Sequence, residues 1–220
     1  MANPPRRQVL TDTVYDVIHH RLVDHDIEPG SKLNINGLAV ELDVSPTPVR
    51  EALARLEADG LVIKRSLAGY TAAPLLTGSN FDDLFEMRLL LEPAAASRAA
   101  TRATADDLTV LDEHLAAMRG ASDTGEPTMR VFLQHDALFH ARVAAASGNL
   151  LMVDTLRRMH AHAHLYRLFF REGIAEATCH EHQRIIDALR DSDPDTAAAA
   201  MRSHLRRAKD RLIPVVADKS

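Results

Sequence analysis

Four ionisable side chains lie on the apolar faces of helices that the sequence predicts for its second half. Asp136 and His140 are four residues apart, a spacing that places both on one face of a helix. His182 and His204 lie within the apolar stripes of two later helices. Burying a carboxylate or an unpaired imidazole is costly, and one cation bound by all four would turn that cost into stabilisation. One oxygen and three nitrogens suit zinc, nickel, cobalt or manganese, so the pattern indicates a divalent metal site.

Spacing alone leaves two other interpretations of these histidines open. In the first, the four residues are unrelated, and each makes its own hydrogen bonds in the core or at the surface. In the second, the metal-binding pair is His160 and His164, which are also four apart on a helix predicted over residues 149–171. His162 faces away from that pair on the same predicted helix.

Arg88 is a candidate ligand-binding residue near the predicted metal site. It continues the apolar stripe of its own predicted helix, so its guanidinium is expected to point into the helical bundle. An arginine in that position is a natural partner for a carboxylate ligand. Asn149, at the start of another predicted helix, is expected to line the same pocket. The alternative for Arg88 is a surface salt bridge to Glu92, four residues further on.

A second group of polar residues has the chemistry of nucleic-acid contact. Ser45, Thr47 and Arg50 lie at the N-terminal end of a predicted helix whose other face is apolar. Hydroxyl groups there can donate to phosphate oxygens near the positive end of the helix. Arg50 can pair with a guanine edge or with a phosphate. The further candidates, on the following hairpin and on a flexible N-terminal arm, are Lys64, Arg65, Arg6 and Arg7.

The elements that position this second group form the plan of a winged helix-turn-helix. A helix is predicted over residues 11–25, followed by a short helix capped by Asn36 and a third helix from a cap at Ser45 to residue 58. Strands are predicted at residues 61–64 and 70–72. The turn between the strands is predicted at residues 66–69.

The rest of the chain has helical periodicity throughout. A linker at residues 74–80 separates the two regions, and Pro214 is expected to follow the end of the last helix. The fold class is therefore mainly α, with a winged helix-turn-helix domain at residues 1–76 and an all-helical domain at 77–220. The six helices of the second domain are predicted over residues 81–101, 104–119, 128–147, 149–171, 174–190 and 194–212.

Composition narrows the class of protein. The chain has 220 residues and is 46% hydrophobic, enough for a buried core. It has one cysteine, Cys179, and no apolar run long enough to span a membrane, which favours a cytoplasmic protein with no membrane partner. The net charge is −5, so any DNA-binding surface must be a local patch.

The first region resembles the recognition unit of the GntR family of bacterial regulators. The similarity is carried by LAVELDVSPTPVREAL at residues 38–53, RLEADGLV at residues 55–62, and Gly69-Tyr70 in the hairpin. Pro46 departs from the pattern, because an arginine often stands there in the family, and this leaves the operator sequence open. The resemblance implies a homodimer that binds a double-stranded DNA operator. The implied contact residues are Ser45, Thr47, Arg50, Lys64, Arg65 and Gly69.

The second region is similar to the FadR-type ligand-binding domain, the FCD class, over roughly residues 80–212. The similarity is carried by FEMR and LEP at residues 85–88 and 91–93, DALFH at 136–140, EH at 181–182 and MRSHL at 201–205. Members of this class with an Asp-x-x-x-His pair and two later histidines bind a metal. The resemblance therefore implies the ligand set Asp136, His140, His182 and His204.

Together the two resemblances imply a transcriptional repressor and not an enzyme. Its operator affinity would be controlled by a small organic acid that binds the metal, zinc above the other divalent ions, and contacts Arg88 and Asn149. Two alternatives are a DNA-binding regulator whose metal is purely structural and a metal-dependent hydrolase with an accessory DNA-binding domain. The hydrolase lacks an evident general base beside the metal ligands.

Overall fold

The structure, a computed structural model, describes residues 6–66, 69–76, 78–121, 126–166 and 174–217. The chain divides into two compact units. The first comprises Met1–Leu75 with Ala163–Arg167, and the second comprises Leu76–His162 with Leu168–Ser220. Within the described residues, no helix combines the length and the apolar character needed to cross a membrane.

In its described part before Leu75, the first unit has three helices beside a small three-stranded sheet. Its apolar core includes Ile18 of the first helix and Leu53 of the third, both fully buried. The strand order in the antiparallel sheet is β1-β3-β2. The elements are α1 (Arg6–Val23), β1 (Lys32–Leu33), α2 (Ile35–Glu41), α3 (Pro46–Ala58), β2 (Val62–Arg65) and β3 (Gly69–Ala72).

Two local expectations for this unit were wrong, and one strand was not predicted. The cap of α2 is Asn34 and not Asn36, because the Asn34 side chain accepts hydrogen bonds from the backbone N–H groups of Asn36 and Gly37 at 3.1 and 3.2 Å. Arg6 and Arg7 begin α1 and do not form a flexible arm. The two-residue strand β1 was not predicted, because so short a segment has no alternation to detect. Leu67 and Ala68 of the predicted turn lie outside the described residues.

The second unit is all-helical over the residues that the structure describes. Fully buried side chains such as Leu115 of the second helix and Ile185 of the sixth fill its core. Its helices are α4 (Gly78–Ala100), α5 (Ala105–Gly120), α6 (Glu126–Ala146), α7 (Leu150–Arg158), α9 (Ile174–Arg190) and α10 (Pro194–Ala217). The short helix α8 (Ala161–Tyr166) begins in this unit, and its residues from Ala163 onward belong to the first unit.

Most predicted helix ends in this unit are confirmed by capping. Thr104 and Asp107 form a reciprocal capping box at the start of α5. Asp193 accepts hydrogen bonds from two backbone N–H groups at the start of α10. Gly148, with a φ of 69°, follows the end of α6 in a conformation that glycine adopts readily. Pro214, however, lies inside α10 and not beyond its end.

The single helix predicted over residues 149–171 is wrong. The chain breaks between α7 and α8, where His160 has a φ of 48° in the left-handed region. Neither glycine nor proline marks this break, so the helical periodicity continues through it. Residues 167–171 of the prediction lie outside the described residues.

Candidate metal centre and nucleic-acid interface

Three histidines from three helices meet inside the second unit. His140 on α6, His182 on α9 and His204 on α10 are all buried, with 6, 0 and 3% of their surface exposed. One ring nitrogen from each lies within 4.8 Å of the others. The Nε2 atoms of His140 and His204 are 3.2 Å apart. Spacing made these three histidines candidates and the family resemblance selected them, and the fold brings them together.

Asp136 lies beside the three histidines, one turn before His140 on α6. Its Oδ1 atom is 3.5 Å from Nε2 of His182, and its Oδ2 atom is 3.3 Å from Nδ1 of His162. His162 was not among the predicted site residues. It lies in the first turn of α8, directly after the helix break at His160.

Two buried glutamates orient the imidazole rings. Oε2 of Glu92 is 2.5 Å from Nδ1 of His140, and Oε2 of Glu181 is 2.9 Å from Nδ1 of His204. Because an ionised carboxylate only accepts hydrogen bonds, Nδ1–H must donate in both pairs, which leaves the Nε2 lone pairs facing the centre. Sequence reasoning missed both glutamates as partners of the histidines. Each glutamate pairs with a histidine on another helix, so no spacing within its own helix indicates the contact.

His182 provides the test of whether a metal fits this site. Both of its ring nitrogens are buried and have no hydrogen-bond partner among the described residues, while its ring stacks on Phe139 at 4.0 Å. A buried imidazole without partners is unfavourable unless something binds it. Two nitrogens bound to one tetrahedral zinc lie about 3.3 Å apart, given bond lengths of about 2.0–2.1 Å. The 3.2 Å separation of the His140 and His204 nitrogens agrees with that value, so the residues fit a metal ion.

Burial keeps the imidazoles of His140 and His182 neutral by lowering their pKa values. It lowers the pKa of His140 to about 4, although the neighbouring Glu92 opposes the shift. Burial, reinforced by His204, also lowers the pKa of His182 well below its usual value. Burial alone would raise the pKa of Asp136, but the hydrogen bond from His162 and the nearby His140 hold it well below its usual value. Neutral imidazoles and an ionised carboxylate are the forms that bind a cation.

These pKa values predict how stability depends on pH when the metal is removed with a chelator. An unfolded histidine has a pKa near 6.5, and folded His140 has a pKa of about 4. Between these two values the unfolded chain binds a proton that the folded chain does not. The free energy of unfolding should therefore fall as the pH drops from about 6.5 to 4, by about 3 kcal/mol from His140 alone. Urea unfolding at several pH values measures this, and a constant unfolding free energy between pH 7 and 5 would contradict it.

Arg88 is buried in the second unit, with 2% of its surface exposed. Its Nε donates to Oε1 of Glu92 at 2.5 Å, and the same carboxylate accepts from His140. The guanidinium lies inside the second unit, as predicted. The alternative named the right partner, Glu92, but the ion pair is buried and does not lie at the surface. Arg88 is linked to the metal centre through Glu92, and its contact with an effector stays a prediction.

The predictions for the His160–His164 pair and for Asn149 have different outcomes. His160 lies at the helix break, so it does not share one helix with His164, which removes the premise of the competing pair. Asn149 caps α7, because its side-chain oxygen accepts from the backbone N–H of Met152 at 3.2 Å. Its contact with an effector also stays a prediction.

The predicted DNA-contact residues are exposed on the first unit. Ser45 precedes α3, and Thr47 and Arg50 lie in its first turns, while Val49 and Leu53 on the same helix are fully buried. The Ser45 side chain makes no capping hydrogen bond. The remaining three candidates, on the β2–β3 hairpin and also exposed, are Lys64, Arg65 and Gly69.

Comparison with known proteins agrees with this architecture. The family model for bacterial regulatory proteins of the gntR family matches residues 10–71, and that for the FCD domain matches residues 83–207. The Nta operon transcriptional regulator of Aminobacter aminovorans is 30% identical over 88% of this chain and 90% of its own length. The HTH-type transcriptional repressor RspR of Escherichia coli (strain K12) is 26% identical over 90% of this chain and 87% of its own length.

A solved structure supports the fold prediction. The chain named E. coli McbR/YncC superposes with a TM-score of 0.72 over 97% of this chain and 99% of that chain, at 21% identity. The expected fold class, mainly α with an N-terminal winged helix-turn-helix and a C-terminal all-helical domain, is confirmed. This chain belongs to the GntR family, as a DNA-binding transcriptional regulator with a winged helix-turn-helix and an FCD effector domain.

Proposed function

We propose that this regulator is a repressor whose operator affinity is controlled by a small organic acid bound at a divalent metal in the FCD domain. The observation that carries the proposal is the group of three buried histidine nitrogens within 4.8 Å of one another. His182, whose nitrogens have no hydrogen-bond partner among the described residues, adds to it. An unfilled cluster of this kind is unfavourable, and a bound cation removes the penalty.

The proposed ligands of the metal are Asp136, His140, His182 and His204. Zinc suits this donor set, and nickel, cobalt and manganese are the other candidates. When bound, the metal would supply a Lewis acid to which the carboxylate of a small acid could coordinate in addition to these residues. Glu92 and Glu181 hold two of the rings in the required orientation.

The proposed DNA contacts come from α3 and the hairpin. Ser45, Thr47 and Arg50 are exposed near the positive end of α3, which suits contact with phosphates and base edges. Lys64 and Arg65 supply charge on the hairpin. Gly69 has a φ of 84° and open space around it, which favours close approach of the hairpin backbone to DNA.

Control by the acid requires two conformations of a homodimer that differ in DNA affinity. A ligand shifts this equilibrium only by its differential affinity for the two conformations, typically about 1–3 kcal/mol. A symmetric dimer is the usual geometric solution for a pseudo-palindromic operator. We propose repression, and not activation, because the similar protein RspR is named a transcriptional repressor. Because the partner is operator DNA, we expect the protein in the cytoplasm.

Arg50→Ala should weaken operator binding by about 1–3 kcal/mol if Arg50 pairs with a base, and should relax specificity at that position. The fold should be unaffected, because the side chain is exposed. Fluorescence anisotropy with the DNA upstream of the regulated genes measures the affinity. Arg202→Ala, at an exposed arginine of α10, is the matched control and should bind normally. Unchanged affinity in Arg50→Ala would contradict the assignment of α3.

The effector proposal is tested by operator binding of metal-loaded protein in the presence of single organic acids. An effector should change the operator dissociation constant by about 5- to 150-fold, the usual range of allosteric coupling. The same acid should raise the melting temperature of the metal-loaded protein. A structural metal predicts that no acid changes either quantity, and that result would contradict effector control.

A further inference from the structure

A cavity of about 200 Å³ adjoins the metal centre in the second unit. His140 and His162 line it, and Glu92 contributes at the same end. Through His140, the cavity shares a residue with the proposed ligand set, so a molecule in the cavity lies next to the metal centre. It is therefore a candidate position for the effector.

The volume of the cavity limits the size of its occupant. Taking about 30 Å³ for each molecule of liquid water, 200 Å³ holds about seven waters. Pockets for drug-sized ligands are larger, about 300–1,000 Å³. A molecule with about seven to nine non-hydrogen atoms matches the available space.

Apart from its two histidines, Glu92 and Arg157, the cavity is lined by apolar side chains. Ala141 and Ala144 of α6 face it from one helix, and Val153 and Leu156 of α7 face it from another. None of these side chains can donate or accept a hydrogen bond. A hydroxyl or second carboxylate placed against the buried Ala144 would lose hydration without replacement, which is unfavourable.

The charged groups around the cavity already have partners. Glu92 is paired with Arg88 and with His140. Arg157 also lines the cavity, but its guanidinium is 2.5 Å from Asp154 and its side chain is 75% exposed. At the polar end, Nδ1 of His162 faces Asp136. Within the described residues, Nε2 of His162 makes no hydrogen bond or ion pair. This arrangement offers one polar position and an apolar remainder.

We infer that the effector is a compact monocarboxylic acid with an aliphatic or aromatic body, and not a hydroxy acid, sugar acid or polycarboxylate. Its acid group lies at the end formed by His140 and His162, and its apolar body lies against Ala141, Ala144 and the side chains of α7. The inference rests on the proposed function for the acid group and goes beyond it in assigning the chemical class.

The test compares hexanoate with succinate, which has the same number of non-hydrogen atoms but a second carboxylate in place of alkyl carbon. Isothermal titration calorimetry on the zinc-loaded full-length protein should give a dissociation constant at least tenfold lower for hexanoate. Ala141→Leu should weaken hexanoate binding at least tenfold, because the larger side chain occupies the cavity, while zinc content stays unchanged. Ala145→Leu, at an exposed alanine on the same helix that does not line the cavity, is the matched control and should bind hexanoate normally.

Three other results would each contradict part of the inference. Tighter binding of succinate would overturn the assigned class and leave effector control at the metal intact. Equal hexanoate binding by wild type and Ala141→Leu would show that this cavity is not the site. If neither hexanoate, benzoate, succinate nor citrate binds the zinc-loaded protein, the inferred class is wrong and the effector part of the proposed function fails with it.

Discussion

Glu92→Ala is expected to destabilise the second unit by about 3–5 kcal/mol. Glu92 is 5% exposed, and its carboxylate accepts from the buried Arg88 and from His140. Removing it leaves the Arg88 guanidinium in the interior without its counter-charge, which costs far more than the net value of the pair. Denaturant unfolding of purified protein measures the change.

Two further variants separate this effect from general disturbance of α4. Asp82 lies on α4, as Glu92 does, and forms an exposed ion pair with Lys209 of α10. Asp82→Ala should change the free energy of unfolding by no more than about 1 kcal/mol. The double substitution Arg88→Met with Glu92→Leu removes both charges, and should recover much of the stability. A loss in Glu92→Ala no larger than in Asp82→Ala would contradict a buried ion pair at Arg88 and Glu92.

Loading the protein with zinc is expected to raise its free energy of unfolding by about 4 kcal/mol when free zinc is about 1,000 times its dissociation constant. The metal would hold α6, α9 and α10 together through His140, His182 and His204, and the unfolded chain has no such site. Thermal unfolding with and without a chelator measures the difference.

The gain in stability should disappear when one proposed ligand is removed. His182→Ala should unfold at the same temperature with and without zinc. His180→Ala, two residues away on the same helix and exposed, is the matched control and should keep the full gain. A zinc-dependent gain that survives in His182→Ala would show that the metal binds elsewhere.

Local signals in the sequence predicted much of the fold. Pro46 marks the start of α3, because its fixed φ suits the first turn of a helix, although the Ser45 side chain makes no capping hydrogen bond. Thr104 with Asp107 marks the start of α5, because capping depends on residues close in the chain. Periodicity correctly indicated Asp136 and His140 on one face, since their spacing matches one helical turn. Where two similar signals compete, as for Asn34 and Asn36, the local pattern did not identify the cap.

Features that depend on tertiary packing were not predictable in the same way. Glu92 and Glu181 contact histidines on other helices, and nothing within one helix indicates those contacts. His162 lies directly after the break at His160, which no glycine or proline marks. The meeting of three histidines from three helices came from family resemblance and not from spacing, because spacing along one helix says nothing about its neighbours.

Metal content per chain tests the central claim most directly. Elemental analysis of purified wild type should find about one divalent metal per chain, if Asp136, His140, His182 and His204 share one site. His182→Ala and His204→Ala should carry almost none, whereas His160→Ala should keep the full amount. Full metal content in His182→Ala and His204→Ala, with loss in His160→Ala, would contradict the proposed centre and the effector control that depends on it.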